Sequence, residues 1–149
     1  MIVRGRASLA APRAEVMAVL SAPERLVTVL PNVDDFDWDA EADGSFAATI
    51  RPAIALGEVP FRTVWQPRQA SDGLLRYRVE GRADEQWLGM DVELALRDDG
   101  AATGADWSID LQLTGTMRTA GQRVMAAVVA AQVQTVLDAV ARAAAGAQE

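Results

Sequence analysis

Residues Met117 to Gly146 read as one long helix closing a chain that elsewhere alternates apolar and polar residues with a period of two. At about 1.5 Å of rise per residue such a helix is roughly 43 Å long, more than the width of a small domain. Coming after a run of strands, a helix of that length has to lie across a sheet. Its apolar stripe is Gly121, Val124, Met125, Val128, Gln132 and Val136. Side chains this small leave either a thin core or a cavity beneath the helix. Gln132 sharpens that choice, because a buried amide requires hydrogen-bond partners. It is either a polar group in a cavity or the mark of a partly wet face.

The same segment holds the most apolar window of the chain, Val124 to Ala141, which also carries Gln132, Gln134 and Asp138. An Asp near the centre of a spanning helix costs about 2.5–3.5 kcal/mol on the insertion scale. A packed helix is therefore expected, and no integral membrane span. The first residues, Met1 to Arg6, are not followed by the apolar stretch of a signal peptide. A cytoplasmic location is the resulting expectation.

Upstream, Ile2 to Ala11 sets Val3, Gly5, Ala7 and Leu9 against Arg4, Arg6 and Ser8, a strand with one wet face. Two short helices follow. The first runs from Glu15 to Leu20. The second is entered through Ser21 as N-cap, carries Pro23 and Glu24 in its first turn, shows Leu26, Val27 and Leu30 on its apolar side and stops at Pro31. Val33 to Ala42 interleaves Phe36 and Trp38 with aspartates, Ala42 to Ser45 is a hairpin turn, and Phe46 to Leu56 returns, with Pro52 marking an edge or bulge.

Phe61 to Gln69 alternates next. Leu75, Tyr77, Val79 and Gly81 then oppose Arg76, Arg78, Glu80 and Arg82. Leu88 to Leu96 and Trp107 to Leu113 continue the pattern, separated by the Asp98-Asp99-Gly100 turn. Strands followed by a helix imply an antiparallel sheet with its helices on one face. The expected fold class is α+β. A curved antiparallel sheet of about six to seven strands grips a long C-terminal helix, with two short helices after the first strand. Residues 1–149 form a single domain in this reading.

Three residue types are missing altogether, Cys, His and Lys, so all 14 basic residues are Arg. Thiol nucleophiles, histidine bases and Schiff-base lysines are excluded, and zinc loses its best ligands. Catalysis would fall to carboxylates, hydroxyls, one tyrosine or arginine. The formal charge of −7 repels phosphate backbones and anionic lipid surfaces, so no nucleic-acid partner is expected. No cofactor is expected either.

Several short motifs, weak singly, occur in a specific order. Gly5 precedes Ala11-Pro12, and Val16 and Leu20 lead into Ala22-Pro23-Glu24-Arg25-Leu26. Leu30-Pro31-Asn32-Val33 follows, then Gly44-Ser45-Phe46, Leu56-Gly57 and Phe61. Gly115-Thr116-Met117 and Gly121-Gln122-Arg123 open the last helix. This series resembles the START-related helix-grip (SRPBCC) superfamily of polyketide cyclases and lipid-transfer proteins, and within it the CoxG family of carbon monoxide dehydrogenase. That family reads Asp-Pro-Glu-x-Leu at the second motif and Gly-x-Leu…Gly-x-Arg at the last. Asn32 stands where the family has glycine, and Ala83 to Gln86 replaces a glycine-rich stretch. The sequence ends at Glu149 without the membrane-anchoring tail of some relatives, so membrane recruitment is not expected. The resemblance implies a hydrophobic ligand, a lipid or an isoprenoid quinone.

The charged clusters have ordinary readings. Asp34, Asp35, Asp37, Asp39 and Glu41 could offer oxygen ligands to a hard cation, but they lack the glycine and terminal glutamate of a calcium loop. A solvated strand face is expected and no metal. Asp84 and Glu85 read as a solvated loop. Arg76, Arg78 and Arg82, extended by Arg51, Arg62 and Arg68, balance neighbours such as Glu80 and Glu93 or receive an acidic partner.

Trp38, Trp65, Trp87, Trp107 and Tyr77 suit a pocket wall and a packed core equally. Met90, Met117 and Met125 are adaptable fillers. The residues expected to meet a ligand between sheet and helix are Trp65, Tyr77, Val79, Leu88, Met90, Trp107, Ile109, Met125, Val128 and Gln132. Binding or carrying a hydrophobic small molecule is the leading expectation. One alternative is a cyclase- or hydratase-like enzyme using Tyr77, Gln132 or an inward Asp110. The other is a cavity-free assembly protein with a protein partner. Oligomeric state is not legible in the sequence.

Overall fold

The alternation of Val3, Gly5, Ala7 and Leu9 builds the first strand, β1 (Ile2–Leu9), in a computed structural model. It describes residues 1–30, 33–37, 45–51, 60–84, 86–113 and 122–146, with backbone alone at 34–37 and 122–124. Pro12 then starts α1 (Arg13–Ser21), two residues earlier than Glu15. Its buried Val16, Val19 and Leu20 face the interior. Helix α2 (Pro23–Val29) begins on Pro23 with Glu24 in its first turn and buries Leu26 and Val29.

The expected Ser21 cap is not formed. Ser21 still belongs to α1, where its hydroxyl donates to the Met17 carbonyl at 2.6 Å. The residue before α2 is Ala22, which has no capping side chain. The fixed φ of Pro23 and its missing N–H carry the helix start instead.

Six further strands follow: β2 (Val33–Asp37), β3 (Phe46–Ile50), β4 (Phe61–Ser71), β5 (Leu74–Ala83), β6 (Gln86–Asp99) and β7 (Ala102–Leu113). They form one antiparallel sheet in the order β1-β7-β6-β5-β4-β3-β2. Strand β4 tolerates Pro67 because the β4–β5 register shifts between Pro67 and Gln69, a bulge that spares a ladder hydrogen bond. The β4–β5 hairpin turns through Asp72 and Gly73, both at positive φ (53° and 78°), as a two-residue turn with that handedness requires. The expected reach of one strand to Ala42 and of the next to Leu56, the Ala42–Ser45 turn and the Pro52 bulge lie mostly outside the described residues.

The last helix, α3 (Gln122–Gly146), crosses the concave side of the sheet and packs on β1 and α1. Its expected first turns from Met117 also lie outside the described residues. Met125–Gly146 is long and apolar enough, by length and composition, to cross a membrane. Here its Met125, Val129, Leu137, Val140 and Ala144 are buried in the core, while Asp138 and Arg142 stay exposed. The arrangement is a helix-grip α+β fold, with the core between the sheet's inner face and the three helices.

On the outer face the arginines meet carboxylates. Arg76 lies 3.3 Å from Glu93, its cross-strand partner, and Arg78 lies 3.1 Å from Asp91 and 3.5 Å from Glu80. Arg62 and Arg82 stand opposite each other on β4 and β5, both exposed. Among the described residues no cluster of His, Cys, Asp or Glu could hold a metal ion. Asp35 and Asp37 share register with Thr49 and Ala47. Asp39, Glu41 and Glu85 lie outside the described residues, and Asp84 is exposed in a turn at φ 52°.

Candidate functional site

The inner face of the sheet supplies a floor of large residues, and α3 supplies a roof of small ones. Helix α3 packs on β1, α1 and α2, and its small residues stand over the inner face of β4, β5, β6 and β7. A cavity of about 220 Å³ remains between them. Its floor is Trp65, Tyr77, Leu75, Leu88, Met90, Val92, Leu94, Trp107 and Ile109. The roof is Val129, Gln132, Val133, Val136 and Leu137, and Leu20, Leu26, Leu30 and Ile50 close one side, with the exposed Arg51 at the edge.

The aromatic end of the floor is held by a chain of hydrogen bonds. Trp65 stacks on Phe46 with centroids 5.6 Å apart, and Tyr77 meets Trp65 edge-on at 6.4 Å. The Trp65 Nε1–H donates to Thr63 Oγ1 at 2.8 Å, and the Thr63 hydroxyl donates to the Ala48 carbonyl at 2.6 Å. Thr63 is fully buried, so satisfying both of its lone-pair and proton roles is what permits it there. The Tyr77 hydroxyl donates to the Leu20 carbonyl at 3.0 Å, pinning the end of α1 to β5. Burial of Tyr77 raises its pKa above the ordinary value, since desolvation penalises the phenolate. At neutral pH it is a donor already in use.

Seven of the ten expected site residues line this cavity: Trp65, Tyr77, Leu88, Met90, Trp107, Ile109 and Gln132. Three do not. Val79 points inward but is fully buried in the packed part of the inner face, flanked by Trp65 and Met90. Met125 is buried in the core one turn before Val129, and Val128, half-buried, is turned about the helix axis away from the lining residues. The wall residues not foreseen are chiefly Val129, Val133, Val136 and Leu137 on α3, with Leu20, Leu26 and Leu30 on the short helices. Val136 alone stood on the expected helix stripe.

Trp87 lies on the outer face over Gly89 and beside Arg78, not in the cavity. Trp38 lies outside the described residues. Asp110 also faces outward, 3.7 Å from the N-terminal amine, as its alternation dictates. None of the described residues lining the cavity is a carboxylate. The polar positions on its wall are Trp65 and Tyr77, both engaged, Trp107, Arg51 and Gln132.

The same architecture recurs in solved structures of low sequence identity. A conserved protein from Geobacillus kaustophilus superposes with a TM-score of 0.87 at 14% identity, covering 98% of this chain and 96% of that one. A START superfamily protein from Mycobacterium smegmatis gives 0.73 at 10% identity with 94% of each chain covered. The Zhui aromatase/cyclase from Streptomyces sp. R1128 gives 0.71 at 17% identity, covering 97% and 93%. No curated protein matches the sequence itself. The profile of the carbon monoxide dehydrogenase CoxG family matches residues 5–145, spanning β1 through α3, and the chain belongs to that family.

Proposed function

We propose that this protein binds and carries a hydrophobic small molecule, lipid- or quinone-like, in the cavity between the sheet and α3. The observation that carries this reading is the unfilled space of about 220 Å³ walled by Leu, Val, Ile, Met and aromatic side chains. An engineered apolar cavity of about 150 Å³ already takes up benzene, and drug-sized sites begin at about 300 Å³. The space therefore suits a ring system or a segment of a longer chain. It also weighs against an assembly protein with a filled core.

A cyclase or hydratase would need a proton-transferring group beside the reacting atom. On this wall that role would fall to Tyr77, whose hydroxyl is bonded to Leu20 and whose pKa burial raises. Carrying without chemistry is the reading better supported. Trp65 and Trp107 report on it directly, being part of the wall. Titration with menaquinone-like and fatty-acyl compounds is expected to quench tryptophan emission to saturation. Absence of a saturable response from every apolar compound overturns the proposal.

A further inference from the structure

Strand β1 is an edge of the sheet, pairing with β7 on one side and with no described strand on the other. Met1 and Leu111 exchange both backbone hydrogen bonds, at 3.0 and 2.7 Å. The register then runs without a shift from Ile2↔Asp110 to Leu9↔Thr103, so Val3, Gly5, Ala7 and Leu9 bond to β7 in the same way. The N–H and C=O groups of Ile2, Arg4, Arg6 and Ser8 therefore point off the sheet, and all four residues are exposed. None of these groups has a hydrogen-bond partner among the described residues. An uncovered row of this kind is a template for another extended chain.

The charge beside that row is positive, although the chain as a whole carries −7. Arg4 makes no ion pair among the described residues. Arg6 lies 3.3 Å from Asp106, which Arg97 already holds at 2.8 Å, so one carboxylate serves two guanidiniums. Further along the same outer face, Arg76 and Arg78 are each matched by an acid of their own. The inner side of the row is flanked by Val3, Gly5 and Ala7, all small or apolar.

We infer that β1 receives an extended segment of a partner protein as an added strand, acidic where it faces Arg4 and Arg6 and apolar at the positions between. The backbone row supplies the hydrogen bonds of such an addition, and the arginines select its charge. A second copy of this chain is the poorer fit, because β1 against β1 sets arginine beside arginine.

Two capped heptapeptides, one alternating glutamate with valine and one alternating lysine with valine, test this on the full chain. The readout is amide hydrogen exchange followed residue by residue. In the free protein the Arg4, Arg6 and Ser8 amides are expected to exchange fast while those of Gly5 and Ala7 are protected. With the glutamate peptide at ten times its Kd, exchange at Arg4 and Arg6 is expected to slow about tenfold. The lysine peptide should leave it unchanged, and Arg4→Glu should abolish the preference. Arg4→Pro removes an edge N–H and spares the β7 ladder. Binding is then lost while Gly5 and Ala7 stay protected, which also shows that the variant is folded. Edge amides already slow in the free protein, an equal response to both peptides, or no response to the acidic one overturns the inference. Edge protection that rises with protein concentration in the absence of peptide gives the edge to a second copy, and overturns it too.

Discussion

Gly5 faces Trp107 directly across the β1–β7 ladder, and a Cβ built there would collide with the indole, lying 2.7 Å from Nε1. The glycine is what lets a large ring lie flat on the floor of the cavity. Gly5→Val forces Trp107 up into that space or distorts the strand pair. Overpacking of this kind costs about 1–3 kcal/mol, readable as a lower denaturation midpoint together with a shifted tryptophan emission. A different residue-scale test comes from Tyr77. It is the single tyrosine in a chain without lysine, so alkaline titration is unusually simple to read. Its folded pKa lies above the unfolded value of 10.0. The unfolded chain then loses its proton first as pH rises. The stabilisation is fully present below that value and is lost as pH climbs toward the folded pKa. Tyrosinate absorbance should appear late in the folded protein, and Tyr77→Phe should abolish the extra decline in stability above about pH 10, the ordinary tyrosine value.

At the scale of elements, the β4–β5 hairpin depends on Gly73. It sits at φ 78°, its carbonyl accepts from Leu96 N–H at 2.7 Å, and a Cβ would lie 2.6 Å from Leu96 O. Gly73→Ala therefore combines a strained backbone with a backbone clash. A loss of about 1–3 kcal/mol is expected, seen as an earlier thermal transition with an unchanged far-ultraviolet spectrum. The hairpins were also the most legible part of the sequence. In β5 the alternation of Leu75, Tyr77 and Val79 with arginines fixed which side faces inward, because a one-residue slip would bury the charges. The helix was legible as a helix but not as a face. In α3, Ala and Val surround the axis so evenly that the stripe through Val128 and Val136 looked as good as the one through Val129, Val133 and Leu137. Val79 went astray for another reason. Period two says inward, but whether an inward residue meets packing or empty space depends on how far α3 stands from each strand.

For the whole molecule the question is whether the space under α3 is a built pocket or slack in the packing, and two enlargements answer it together. Val133 is half-buried and lines the cavity, whereas Val79 is fully buried and does not. Val133→Phe extends a ring into unoccupied volume without displacing neighbours. Cavity filling of this sort adds about 0.5–2 kcal/mol. Val79→Phe makes the same chemical change where neighbouring atoms already fill the site, and there about 1–3 kcal/mol is lost. Opposite shifts in melting temperature are thus expected from one substitution made on two sides of the same core. The ligand response separates function from architecture. A molecule that binds only the folded state stabilises it by about 2.7 kcal/mol at a hundredfold excess over Kd. Wild type should therefore melt later as an apolar ligand is added, and Val133→Phe, its space taken by its own ring, should not. If the Val133 variant still gained stability from the ligand, the guest would have to sit elsewhere, and the grip of α3 on the sheet would be a core with a flaw, not a container.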